Sequence, residues 1–207
     1  MLVQNKHITT IWYEHEIDKV KIIDQRLIPF KLKIVELNTL DEVCFAIKEM
    51  QVRGAPLIGV TAAYGMYIAS KENPDLNYLK KASDKINATR PTAVNLSWAL
   101  NKIMTNIIDI NKDQLPSKIL ELANKIREED INNCKSIGEY GYKLIEEVYK
   151  KNKKPVNILT HCNAGWLATV DWGTALAPIF VAHKNKIPIH VWVDETRPRN
   201  QGFSLTS

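Results

Sequence analysis

Cysteine is scarce in this chain and never clustered. Its three residues, Cys44, Cys134 and Cys162, are odd in number and widely spaced. No CxxC pair and no Cys/His group stands at metal-ligand spacing. This excludes a zinc ribbon or a disulfide-stapled scaffold and makes reduced thiols in a cytosol the expectation. Long hydrophobic runs are missing as well. The most weakly polar stretch, Pro56 to Ala69, contains Thr61, Tyr64 and two glycines, and is too short and too mixed to span a bilayer. Lys6, His7, Glu14 and Glu16 interrupt the first residues, so no signal peptide is expected. An aromatic-interleaved basic stripe is also lacking. The net charge is +5 and the sequence pI about 9.0, but much of the excess sits in Lys150, Lys151, Lys153 and Lys154. A solvated basic hinge is the preferred reading, with neither nucleic acid nor membrane as a partner.

What is present is ordinary globular material: 207 residues, 45% apolar and 25% charged. The expected fold class is α/β. A small N-terminal β unit and a helical bundle are followed by the first βαβ unit of an incomplete Rossmann-like parallel-sheet domain. The domains are placed at 1–150 and 151–207. Residues 8–13, 20–23 and 33–37 read as short strands, with residues 24–29 breaking the pattern. Thr39 caps a helix to Met50, with Glu42 completing a capping box and Val43, Ile47 and Met50 sharing one apolar face. Further helices are expected from Pro56 to about Ser70, over 75–88, over 95–110 and over 115–150. Gly138 and Gly141 mark close packing or a local break in the last of these. Strands 156–160 and 187–193, joined by a helix over about 166–185, complete the βαβ unit. One such unit cannot bury both faces of a parallel sheet, so apolar strand residues Ile189, Val191 and Val193 are expected to be exposed and to promote self-association.

Several segments carry chemistry. Val156 to Gly165 reads as a buried strand that ends in Thr160, His161, Cys162 and Asn163 before a helix-like segment. In open α/β sheets, function concentrates at the carboxyl ends of strands, and a helix N-terminus there favours thiolate over thiol. Cys162 is thus a candidate nucleophile or acid/base group. The plainer reading is a small buried hydrophobe, against which the polar neighbours His161 and Asn163 argue. His161 reads equally as a general base or a backbone-capping residue. Asp194 and Glu195, at the end of the second strand, read as acid/base groups or sugar-hydroxyl acceptors, and Arg197 as their neutralising partner. Arg53-Gly54-Ala55-Pro56 precedes a helix and suits a phosphate or carboxylate, a bidentate charge beside an approachable backbone. A Gly-Pro turn with a solvated or paired arginine stands about level with that. Arg90, in Thr89-Arg90-Pro91-Thr92, repeats the arrangement, and two such arginines make a sugar phosphate more plausible than either alone. Cys44 and Cys134 read as fillers.

Taken together, these residues resemble the methylthioribose-1-phosphate isomerase family, the aldose–ketose isomerases of methionine salvage. The resemblance runs from about residue 8 to 202. Its anchors are Leu27-Ile28-Pro29, Val52-Arg53-Gly54-Ala55-Pro56, Arg90-Pro91-Thr92-Ala93-Val94-Asn95-Leu96, His161-Cys162-Asn163-Ala164-Gly165, Gly173-Thr174-Ala175-Leu176, Asp194-Glu195-Thr196-Arg197-Pro198 and Gln201-Gly202. The same superfamily holds ribose-1,5-bisphosphate isomerase and the regulatory subunits of the eukaryotic translation-initiation guanine-nucleotide exchange factor. The resemblance implies that Arg53, Gly54 and Ala55 hold the phosphate, that Arg90 and Gln201 bind the substrate, and that Cys162 is one of two catalytic groups. It implies a small-molecule sugar phosphate as ligand, no metal or organic cofactor, a cytoplasmic location and homodimers. The chain departs from the pattern in four places. Asp171 stands where the family has glycine, and Trp166 and Trp172 replace a small residue and a tyrosine. Phe203-Ser204 follows Gln201-Gly202 in place of Ala-Arg. The second catalytic group, an aspartate on a later strand, is not reached, so a C-terminally truncated chain of low or no activity is the expectation. The alternative is a non-enzymatic member that binds a sugar phosphate or nucleotide in a regulatory role.

Overall fold

The computed structural model describes residues 1–3 and 5–207. The chain divides into two compact units, Thr10–Glu129 on one side and Met1–Thr9 with Asp130–Ser207 on the other. No helix among the described residues is long and apolar enough to cross a membrane.

The unit Thr10–Glu129 opens with an antiparallel meander of β3 (Ile11–Glu14), β4 (Lys19–Ile23) and β5 (Ile34–Leu37). The hairpin β1 (Leu2–Val3) and β2 (Lys6–His7) precedes it in sequence and belongs to the other unit. Ile11 faces Ile22 in the register and Val20 faces Leu37, and all four are buried. Lys21 lies between Glu14 and Glu36 on the wet side. This is the alternation expected of a sheet with one covered face.

Four helices follow, α1 (Leu40–Lys48), α2 (Ala55–Glu72), α3 (Leu76–Asn87) and α4 (Val94–Ile107), of which α2 meets β3 and packs against the other three. Thr39 caps α1 by accepting the Glu42 N–H at 3.2 Å. Glu42 itself reaches past the cap to accept the N–H of Asn38 at 2.6 Å, one residue beyond the expected capping box. The expected run to Met50 stops short, because Met50 adopts φ +60° and turns the chain out of the helix. Val43, Ala46 and Ile47 form the buried face instead. Helix α2 is buried on all sides from Leu57 to Ser70, as an all-round apolar helix should be. Small residues let its neighbours close in. A Cβ on Gly59 would lie 2.8 Å from the Asn95 carbonyl oxygen on α4.

Helix α5 (Leu115–Asn152) buries Leu115, Ile119, Leu122, Ala123 and Ile126 in this unit and continues unbroken into the second. Gly138 and Gly141 do not interrupt it. They receive α6 (Ala177–Lys184), for a Cβ on Gly138 would sit 3.2 Å from the Ala177 carbonyl, and one on Gly141 2.9 Å from Pro178 Cβ.

The second unit holds a parallel pair, β6 (Val156–His161) and β7 (Ile189–Asp194), in register from Val156–Ile189 to His161–Asp194. The expected connecting helix over 166–185 exists only in its last eight residues as α6. The rest is a single 3₁₀ turn, Trp166–Ala168, and irregular backbone. Local hydrogen bonds divert the chain there. Thr169 Oγ1 accepts the N–H of Gly173 at 3.1 Å, and Asp171 accepts that of Trp172 at 2.9 Å. Gly173 takes φ +84° against the backbone of Gly165, leaving no room for a side chain. Asp171 lies outside any helix. It is buried and meets the Met1 ammonium at 2.5 Å and His7 Nε2 at 2.7 Å. Ile189, Val191 and Val193 are half-buried, contrary to expectation. The exposed apolar side chains of the pair are Leu159 (68%) and Trp192 (58%).

Candidate active site

The candidate residues fall into two clusters, one in each unit. The first holds Arg53 and Arg90, each next to a helix start. Gly54, at φ +95°, turns the chain into α2, and no side chain caps that helix. Its first N–H groups have no side-chain cap, and Pro56 has no N–H to offer. Ala55 is the first helical residue. Helix α4 likewise starts at Ala93 without a side-chain cap, directly after the loop that carries Arg90. Each uncapped start combines an arginine with free backbone donors, an arrangement that favours anions. Nη1 of Arg90 is buried without a protein hydrogen-bond partner.

Arg53 differs from a solvated loop arginine. Only 9% of it is exposed, and Nη2 donates to the Gln25 carbonyl at 3.3 Å. Beneath it lies buried polar structure that the sequence reading took for a mere break between strands. Asp24 accepts from Gln51 Nε2 at 2.9 Å, and from Arg26 Nε at 2.9 Å and Nη2 at 2.7 Å. Burial pushes the Asp24 carboxyl up, but these hydrogen bonds and the Arg26 charge outweigh it and hold the group below the ordinary carboxylate range. An acid and two amides flanking an apolar strand were the available signal.

The second cluster gathers around the thiol. Cys162 ends β6 with φ +63°, and its N–H donates to the Asp194 carbonyl at 3.3 Å. Thr196 Oγ1 donates to its sulfur at 3.5 Å, and the thiol donates to Gln201 Oε1 at 3.8 Å. Cys162 and Gln201, thirty-nine residues apart, are therefore neighbours. Thr196 joins them unanticipated, although it lies inside the anchor Asp194–Pro198. The helix N-terminus expected beside the thiol is absent, since only the 3₁₀ turn follows Gly165.

Glu195 has a structural task. Its carboxylate accepts the N–H groups of Thr196 at 2.7 Å, Gly202 at 2.9 Å and Phe203 at 3.1 Å. The bond from Thr196, followed by those from Phe203 and Gly202, holds its carboxyl below the ordinary range. Glu195 thus anchors the π-helical turn Gly202–Thr206 that follows Gln201. Thr206 Oγ1 closes the loop by donating to the Cys162 carbonyl at 2.8 Å. His161 and Asp194 are exposed at the paired strand ends. Asn163 Oδ1 accepts the Gly165 N–H at 3.2 Å, while its Nδ2 is buried without a protein partner. Cys134 lies in α5 beside Asp130, and burial raises its thiol to about 12, consistent with a core filler.

Residues 51–207 match the family model of the Initiation factor 2 subunit family. The chain belongs to this family. Within it, the chain is 48% identical over 207 residues to a methylthioribose-1-phosphate isomerase of Methylorubrum extorquens, covering 100% of this chain and 57% of the relative. The chain therefore spans little more than half the length of the curated relatives it matches. Among solved structures it superimposes on a 5-methylthioribose 1-phosphate isomerase from Pyrococcus horikoshii with a TM-score of 0.85 and 37% identity, over 97% of this chain and 56% of that one. Translation initiation factor eIF-2B, subunit delta, from A. fulgidus gives a TM-score of 0.82 and 36% identity, over 97% and 58%.

Proposed function

We propose that this chain carries the phosphate-binding and thiol portions of an aldose–ketose isomerase that converts 5-methylthioribose 1-phosphate to 5-methylthioribulose 1-phosphate in methionine salvage. The observation that carries this reading is the Cys162–Gln201 pair at the end of a parallel strand, in a chain 48% identical throughout to a relative bearing that name. Arg53, Gly54 and Ala55 hold the phosphate, Arg90 and Gln201 bind the sugar, and Cys162 is one of two acid/base groups. The anomeric oxygen of the substrate is esterified, so ring opening proceeds with the phosphate in place. A proton goes to the ring oxygen as its bond to C1 breaks, hydrogen moves from C2 to C1, and the C2 hydroxyl gives up its proton as C2 becomes the ketone. The product is an isomer, and no external oxidant or reductant enters. A positioned thiol suits the proton transfers, and the reading includes no metal or organic cofactor.

Residues 151–207 are read as the start of a Rossmann-like catalytic domain and 1–150 as a β/helical domain, which the parallel β6–β7 pair and its α6 crossover support. A cytoplasmic homodimer that binds no nucleic acid completes the reading. The three free thiols support a reducing compartment. The likeness to the eIF-2B delta subunit supports a second reading, a non-enzymatic member that binds a sugar phosphate or nucleotide.

Proton NMR of 5-methylthioribose 1-phosphate tests both. The purified chain is assayed alone and joined to the segment that the Methylorubrum relative carries beyond the matched region. The expected result is loss of the anomeric signal and growth of a 1-phosphoketose, with Cys162→Ser lowering the rate by roughly 100-fold or more. Conversion indifferent to Cys162→Ser overturns the role of the thiol. Folded protein that converts nothing in either form overturns the isomerase in favour of the binding reading.

A further inference from the structure

A buried polar relay leads from the end of β4 to Arg53. Asp24 is 1% exposed and Gln25 0%. The Asp24 carboxylate accepts from Gln51 Nε2 at 2.9 Å. The Gln51 carbonyl accepts the Gln25 N–H at 2.9 Å, and the Gln25 carbonyl accepts from Arg53 Nη2 at 3.3 Å. Val52, between the two ends, is fixed by its N–H on the Ala46 carbonyl at 3.2 Å. Ile22 and Ile23 lead into Asp24, Ile47 follows Ala46 and Val52 adjoins Arg53, and all four are fully buried.

Burying a carboxylate and two carboxamides is costly, and apolar groups of similar shape often serve stability as well. A relay kept for stability alone has no reason to end on a guanidinium. An arginine that grips a phosphate with two parallel N–H groups does need a fixed plane. We infer that Asp24 and Gln51 are positioning residues for Arg53, setting the direction of its guanidinium for an anion at the start of α2. The inference rests on the reading of Arg53 as a phosphate ligand.

The sign of the effect separates positioning from charge. Asp24 is an anion near an anion site, so plain Coulomb repulsion predicts that Asp24→Asn tightens phosphate binding. Positioning predicts the reverse. The experiment measures the dissociation constant of inorganic phosphate by phosphorus NMR line broadening, with thermal midpoints recorded for every variant. Asp24→Asn and Gln51→Met are expected each to weaken binding roughly 10-fold, the scale of lost outer-shell support. In an Arg53→Ala background neither is expected to have a further effect, because both act through the same guanidinium. Gln51→Met keeps the Asp24–Arg26 pair and carries the test if Asp24→Asn fails to fold. No binding by the parent, or binding unchanged in Arg53→Ala, overturns the phosphate reading and this inference with it. Weakening in Arg53→Ala with unchanged or tighter binding in both Asp24→Asn and Gln51→Met overturns the inference alone. So does an equal loss in the Arg53→Ala background.

Discussion

Asp24 enters the folded state as a carboxylate and is held there by Arg26 and Gln51, with its carboxyl below the ordinary range. The unfolded chain therefore binds a proton more readily than the folded one. The resulting stability is complete above the ordinary aspartate value, near 3.9, and is lost as pH falls through the lower folded value. Urea midpoints measured from neutral pH downward should drop in the parent across that window and drop less in Asp24→Asn. Parallel curves would show that the carboxylate does not contribute. At this scale Cys162 was legible at the end of its strand, whereas Gln201, 3.8 Å from it, was singled out only through the family resemblance. What pattern alone missed is division of labour among adjacent acids. Glu195 is spent on three backbone N–H groups, whereas Asp194 offers its carbonyl to Cys162. Such roles depend on which way each side chain turns at a strand end, and two neighbouring acids look alike in a sequence.

Helices α5 and α6 meet where glycine removes the side chain from one of them. A methyl group on Gly141 would press into the Pro178 ring, which has little freedom to yield. Gly141→Ala should therefore destabilise the fold by about 1–3 kcal/mol through overpacking, although alanine is the better helix former by about 1 kcal/mol. A thermal midpoint raised by Gly141→Ala would mean that the helices separate at no cost. From sequence these glycines marked either close packing or a local break, and the unbroken α5 decides for packing. Three helices were expected too long, among them the one to residue 110, where α4 ends at Ile107. Over 166–176 the apolar residues look helical, but Thr169 and Asp171 hydrogen-bond their own backbone and Gly173 adopts a left-handed conformation. At Met50 a bulky residue takes φ +60°, which composition does not announce.

On the scale of the whole molecule, the β6–β7 pair is a sheet of two strands with Leu159 and Trp192 exposed on it. Two strands among the described residues leave both edges unpaired, which invites association. Sedimentation velocity at rising concentration should show the chain self-associating, and the double variant Leu159→Ser/Trp192→Ser should shift it toward smaller species. A monodisperse monomer at high concentration would refute this. The parallel pairing was legible from one βαβ pattern, but which side chains it bares was not, because that depends on a register fixed only by the pairing. The unit that holds this sheet joins residues 1–9 to residues 130–207, with His7 meeting Asp171, 164 positions further along. Closing so long a loop adds only about 0.6 kcal/mol per doubling of length, so equilibrium tolerates it. Timing does not. The hairpin must wait for a partner as distant as Asp171, while the meander and α1–α4 find partners close by in sequence. The hairpin is thus among the last elements to be seated.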